Sequence, residues 1–311
     1  MVALAYLFTV LKNVIYGTSV FFTGSLTENV DVLDVLAIRF LISFLVLYLL
    51  KVTKVAKINV GVKDVFGKTD RSKYIKPLLL TAIFEPVLYM LFETLGISMT
   101  TGVTAGVILS LMPISSCICE SIILKEKTTF MQKIFLGIGI VGVIYIAVNT
   151  NTSDGQNTVS GIIFVVLAVL SGSLFMVFSR KSSSNFGSME VTYFSATLGM
   201  IAFNAINIVR HLINGDIVNY FKPLLSVENI IGFVFLGIIS TVVATGMNNF
   251  ALSKIQTSTS AAFGGVSTIV TIAIGVIFAN ESLYYFHYIG IALILIRMIG
   301  VSYIAIKKDK K

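Results

Sequence analysis

The feature that most constrains this chain is the recurrence of long apolar runs. Stretches of 18 or more residues nearly free of charge follow one another from end to end. A helix rises about 1.5 Å per residue, so about 20 such residues cross the ~30 Å hydrocarbon core of a bilayer. Ten spans are predicted, at 2–24, 32–50, 75–97, 101–123, 131–149, 158–179, 190–213, 229–252, 257–279 and 284–306. The first lacks a basic leader and is too long for a signal peptide's apolar region, so it reads as a retained span. Composition agrees: 56% of residues are hydrophobic, only 12% are charged and mean hydropathy is +0.93, against about 25% charged residues in soluble domains. Little sequence is left for a soluble domain, and the expected class is an all-α integral membrane protein.

Charge placement predicts the orientation, because Lys and Arg accumulate in short cytoplasmic loops. With both termini inside, eighteen of the 23 basic residues fall in inner loops or the "KKDKK" tail, and only Arg210 and Lys222 fall in outer ones. The net charge of +8 is thereby explained without a nucleic-acid partner. The chemistry of an enzyme or metal site is not spelled out either. Cys117 and Cys119 form a C-x-C inside the fourth span without further ligands, which reads as buried thiols. His211 and His287 lie near loop ends in different halves, with no H-E-x-x-H or G-x-S-x-G. No catalytic residues, metal or cofactor are expected.

Shifting the chain on itself by 155 residues superposes Ser98 on Ser253, Thr104 on Thr259, Ile114 on Ile269 and Glu126 on Glu281. Both matching stretches follow the third span of a five-span half and lead into a Gly-rich final span. Five is odd, so the two copies face opposite ways across the membrane. Inverted repeats of this kind carry a solute site near the midplane, between the halves.

The block "TTGVTAGVILSLMPISSCICESIILKEK" and its second copy "NNFALSKIQTSTSAAFGGVSTIVTIAIGVIFANES" resemble the EamA-like half of the drug/metabolite transporter superfamily. The segment "LAIRFLISFLVLYLL", with Arg39, resembles that family's second span. The resemblance covers essentially the whole chain. It implies ten transmembrane helices in two inverted five-helix repeats, the first four of each half around a central cavity and the fifth and tenth outside it. The domains expected are a first half at 1–149, an external linker at 150–157, a second half at 158–306 and a basic cytoplasmic tail at 307–311. The resemblance further implies export or exchange of a small metabolite, such as an amino acid, across the bacterial plasma membrane. A coupling proton and a homodimer are compatible with it.

Ionisable residues inside a span cost roughly 2.5–3.5 kcal/mol each on insertion scales and are rarely left facing lipid. Lys12 and Glu85 fall at similar mid-span depth and are expected to neutralise each other. Arg39 and Glu93 fall in the outer half and are expected to form an outer charge pair, although Arg39 can also snorkel. Glu85, Tyr89 and Glu93 recur every four residues and predict a polar face of the third helix turned to the cavity. A carboxylate as deep as Glu85 suits a response to solute or proton; the alternative is a packing salt bridge. Glu120 and Arg297 are assigned to structure. Asn248 and Asn249, near the inner end of the eighth span, are candidate solute ligands or helix-to-helix staples. Tyr16 is a further candidate wall. Pro86 and Pro113 interrupt the third and fourth spans and are candidate hinges. A lipid-linked sugar flippase or its accessory subunit is the alternative function, since Lys12 and Arg39 could meet phosphate.

Overall fold

The computed structural model describes residues 2–60, 70–125, 129–149, 158–183, 185–278 and 284–309. The linker 150–157, the repeat positions Glu126 and Glu281 and the last two tail residues lie outside the described residues. Among the described residues there is no strand, and helices occupy every predicted span.

In chain order these are α1 (Val2–Thr27), α2 (Val32–Val52), α3 (Ile75–Ser98), α4 in two segments (Gly102–Leu109 and Met112–Ile123) and α5 (Phe130–Asn149). The second half supplies α6 (Val159–Ser182), α7 (Ser188–Asn214), α8 (Val227–Leu252), α9 in two segments (Thr257–Ala262 and Gly264–Phe278) and α10 (Tyr285–Asp309). Eight are long and apolar enough to cross a bilayer, and α5 and α10 carry the shorter apolar stretches Phe130–Gly142 and Tyr285–Val301. Local chemistry sets several ends. Asp31, Thr101 and Thr158 accept hydrogen bonds from backbone N–H groups in the first turns of α2, α4 and α6. Gly215 closes α7 at φ 72°, a left-handed position that glycine adopts without Cβ strain.

The packing obeys one exchange rule. α1 packs on α8 and α9, while α6 packs on α3 and α4; α2 packs on α8, and α7 on α3. The remaining major contacts, α2 with α7, α4 with α9 and α5 with α10, join each helix to its own repeat mate. Swapping every helix with its counterpart five places on leaves the pattern unchanged, as a two-fold relation between halves requires. Since five crossings separate a helix from its mate, the halves are inverted. α5 and α10 lie chiefly against each other, at the side of the other eight helices.

Irregularities repeat as well. α3 is π-helical over Ile83–Leu88 and α8 over Phe235–Ala244; adding the 155-residue shift to the first range gives 238–243, inside the second. α4 and α9 are both broken, at Ser110–Leu111 and at Phe263. Pro113 directly follows the break in α4, in the first turn of the segment Met112–Ile123. Its missing N–H and its ring deny the Leu109 carbonyl an intrahelical partner, so the helix does not run on unbroken past Leu109. The Ser110 carbonyl at that break accepts from Nη1 of Arg297. That side chain is fully buried between α4 and α5, where a Cβ on Gly139 would collide with Arg297 Cδ.

Candidate functional site

Residues of α1, α2, α3, α4, α6, α8 and α9 enclose a central cavity, lined by Lys12, Tyr16, Arg39, Glu85, Tyr89, Glu93 and Asn248 among others. The break in α3 aims the deepest carboxylate. Glu85 precedes Pro86, whose ring disfavours the helical conformation at the residue before it; Glu85 accordingly has φ −141°, ψ 120°. The polar face therefore does not run as one continuous helical stripe, yet Glu85, Tyr89 and Glu93 all reach the cavity. Beyond the break the regular spacing returns, and Tyr89 Oη donates to Glu93 Oε1 at 2.6 Å.

Neither expected charge pair is formed. Among the described residues no carboxylate oxygen lies within 4.0 Å of Lys12 Nζ or of the Arg39 guanidinium. Lys12 donates instead to Asn248 Oδ1 and, at 3.2 Å, to Ser260 Oγ. Arg39 donates to Thr241 Oγ1 at 2.9 Å and to Ser240 Oγ at 3.2 Å. The physical reason is the same in both cases: each cation of the first half is taken by neutral oxygens of the second, because α1 and α2 pack on α8. Glu85 makes no hydrogen bond or ion pair among the described residues, although it is 8% exposed. Lys12, Arg39, Glu85 and Glu93 thus share one cavity without a direct ion pair between them.

Two amides part company. Asn248, at the repeat position of Glu93, lines the cavity and accepts from Lys12. Asn249 turns away from the cavity: it accepts from Ser179 Oγ at 2.7 Å and donates to Thr192 Oγ1 at 2.9 Å, stapling α6, α7 and α8. Tyr16 lines the cavity and is hydrogen-bonded to Thr245 Oγ1 at 3.2 Å. Glu120 holds Arg180 at 2.6 Å and accepts from the Thr257 N–H at 3.0 Å, joining α4, α6 and the start of α9.

Much of the apolar part of the cavity comes from α4 and α6, through Leu109, Met112, Phe175 and Met176, with Val20, Met90 and Ala261 added from α1, α3 and α9. Sequence reasoning missed these, and also Ser240, Thr241 and Ser260, since neither a Met nor a hydroxyl stands out in an apolar run. Gly172 opens the space between the two walls: a Cβ there would lie 2.8 Å from Met112 Cε and 2.9 Å from Tyr89 Cδ2. The cavity measures about 80 Å³ as space open to the centres of water-sized spheres, enough for several waters at ~10–15 Å³ each. A solute larger than that must widen it. Behind Glu85 lies a smaller recess, bounded by Pro86, Thr192, Ser195, Thr241 and Thr245; Ser195 Oγ is buried there without a hydrogen-bond partner among the described residues.

A second polar cluster, which the sequence reading did not anticipate, ties the halves together away from the cavity. Asp34 at the start of α2 accepts from Asn207 at 2.8 Å and lies 2.8 Å from both His211 Nε2 and Arg210 Nη2, at the end of α7. His211 Nδ1 lies 2.8 Å from Asp216 Oδ1, and Arg210 also reaches Asp31.

Comparison with known proteins fits this architecture. The chain is similar to the uncharacterised transporter YcxC of Bacillus subtilis, with 31% identity over 307 residues, covering 99% of this chain and 95% of that one. It is also 26% identical over 247 residues to an uncharacterised transporter of Archaeoglobus fulgidus, covering 78% of this chain and 82% of that one. A crystal structure 15% identical in sequence shares the fold at a TM-score of 0.68, covering 97% of this chain and 98% of that one. The EamA-like transporter family matches residues 3–148 and 159–303, one repeat in each half. With two inverted five-helix repeats closed around a charged cavity, and with that match over nearly its whole length, the chain belongs to the EamA-like transporter family.

Proposed function

We propose that the protein exports or exchanges a small zwitterionic solute of the amino-acid type across the plasma membrane by alternating access. One observation carries this reading: two cations and two carboxylates face a single cavity without pairing with each other. Unpaired charges at this depth are costly unless water or a ligand satisfies them. A solute carboxylate suits Lys12 and Arg39, its ammonium suits Glu85 and Glu93, and its side chain fits the wall of Met112, Phe175 and Met176. Asn248 tunes Lys12, and Asn249 serves packing. Because the cavity walls come from both halves, rocking one half against the other exposes the site to each side in turn. Glu85 is the group that responds to solute or proton, and the break at Pro86 is where α3 bends; Pro113, beside the break in α4, is the second hinge.

Counterflow of labelled amino acids in proteoliposomes, run beside a lipid-scrambling assay, tests this. Saturable counterflow without scrambling supports the reading. Scrambling of a lipid-linked phosphate without amino-acid counterflow favours the flippase alternative, against which stand the two carboxylates that would face the phosphate. For orientation, with both termini cytoplasmic, single cysteines replacing Lys222 and Lys254 in a Cys-free background should label differently on intact cells. An impermeant maleimide should reach position 222 only. The division into halves at 1–149 and 158–306 implies that the halves expressed as separate chains reassemble into a transporter.

A further inference from the structure

The connection between α7 and α8 carries apolar side chains on two opposite faces. Residues Ile217–Asn219 and Lys222–Leu225 form short 3-10 turns. The inward face is occupied. Tyr220 packs with Leu36, Phe40 and Phe203 and donates to Asn204 Oδ1 at 2.5 Å, and Leu224 packs with Val30 and Val35. The opposite face is bare: Val218 is 93% exposed, Leu225 83% and Phe221 53%. Val218, Phe221 and Leu225 are thus left uncovered while their neighbours Tyr220 and Leu224 are engaged by the bundle.

Contiguous exposed apolar surface of this kind marks an interaction site, and its position says with what. The segment joins two membrane-spanning helices, and the apolar residues that flank it, Ile213 in the last turn of α7 and Val227 at the start of α8, are likewise uncovered. Lys222, also exposed, stands beside Phe221, and an amphipathic side chain there can keep its ammonium among headgroup phosphates while its stem lies along apolar surface.

We propose that residues 217–225 form an interfacial segment seated on the lipid of the adjacent leaflet, with Val218, Phe221 and Leu225 at the acyl boundary and Lys222 at the phosphates. In the orientation proposed above this is the outer leaflet, but the lipid seat depends neither on that orientation nor on the identity of the solute. It has a consequence for the bundle. The same connection presents Asp216 to His211 and Tyr220 to Asn204, so lipid contact steadies the cluster that bridges α2 and α7.

The chain contains no tryptophan, so Val218→Trp, Phe221→Trp and Leu225→Trp each introduce a single fluorophore. Each variant is reconstituted in phosphatidylcholine vesicles whose acyl chains are brominated near the headgroup or near the chain end. Blue-shifted emission, quenched more strongly by headgroup-proximal bromine and little by aqueous iodide, is the expected result. Water-like emission quenched by iodide and not by lipid bromine overturns the proposal. Emission shielded from both quenchers also overturns it, since the face would then be covered by protein, such as a second copy. The conservative Phe221→Trp keeps the test available if a valine or leucine replacement misfolds.

Discussion

Lys12 of the first half is held by Asn248 of the second, the residue that occupies the repeat position of Glu93. An amide in one copy thus stands where the other copy has a carboxylate. The inversion of the halves brings that amide, and not the carboxylate, to the lysine. A neutral partner leaves the charge of Lys12 available to a ligand, which an ion pair with Glu85 would not.

Replacing Lys12 should therefore behave differently from breaking a salt bridge. Lys12→Met is expected to abolish counterflow, and Lys12→Met combined with Glu85→Gln should not restore it, because the two residues do not satisfy each other. Asn248→Ala leaves Ser260 as the remaining partner and should raise KM severalfold with protein yield retained. Recovery of transport in the double variant would contradict the geometry.

Tyr89→Phe removes the hydroxyl that donates to Glu93 at 2.6 Å. A hydrogen bond to a charged group contributes about 1.5–3 kcal/mol, so solute affinity should fall by roughly tenfold or more if that bond orients Glu93 toward the solute. Titration of solute binding in detergent measures it. An unchanged Kd would assign the Tyr89–Glu93 pair to packing.

Glu85→Gln keeps the shape of the side chain and removes its charge and titration. Counterflow is expected to lose its pH dependence or to cease. Ser195→Val, which fills the recess behind Glu85, should alter the pH profile while leaving solute affinity nearly unchanged. Parental behaviour of Glu85→Gln at every pH would make this carboxylate structural.

Gly172→Val pushes a branched side chain toward Met112 and Tyr89, where even a Cβ comes within 2.8–2.9 Å of their atoms. It should reduce transport of solutes with large side chains more than that of small ones. Competition by a size series against one labelled solute reads this directly; an equal loss for every size would point to misfolding.

Asp34→Asn weakens the bridge between α2 and α7. Severing a buried pair costs about 3–5 kcal/mol, but Arg210 here is partly exposed and solvent screens it, so a loss of about 1–3 kcal/mol is expected. Thermal unfolding followed by size-exclusion chromatography should show a lower midpoint, and His211→Ala should shift it in the same direction.

The sequence alone determined the bilayer environment, the positions of the spans and the repeat. Each rests on local quantities: run length against hydrocarbon thickness, and a pattern repeated at fixed distance. It also singled out Lys12, Glu85, Tyr89, Glu93 and Asn248 as cavity residues, since polar groups in an apolar run have few places to go. But it set Arg39 in an outer pair and Asn249 in the cavity, where the structure has Arg39 lining the cavity and Asn249 outside it. The partners were a different matter. Who holds Lys12 and Arg39 depends on which helices of the opposite half pack against α1 and α2, and on how the π-helical segments of α3 and α8 rotate their side chains. A depth counted at 1.5 Å per residue assumes a straight helix, and both α3 and α8 depart from it in the cavity wall. The role of Asn249 as a staple and the Asp34–His211 bridge arise from contacts between residues 57 to 177 positions apart. Only the tertiary structure could decide them, because a buried polar group must take a partner within hydrogen-bond reach, and which groups lie in reach is set by how the helices pack.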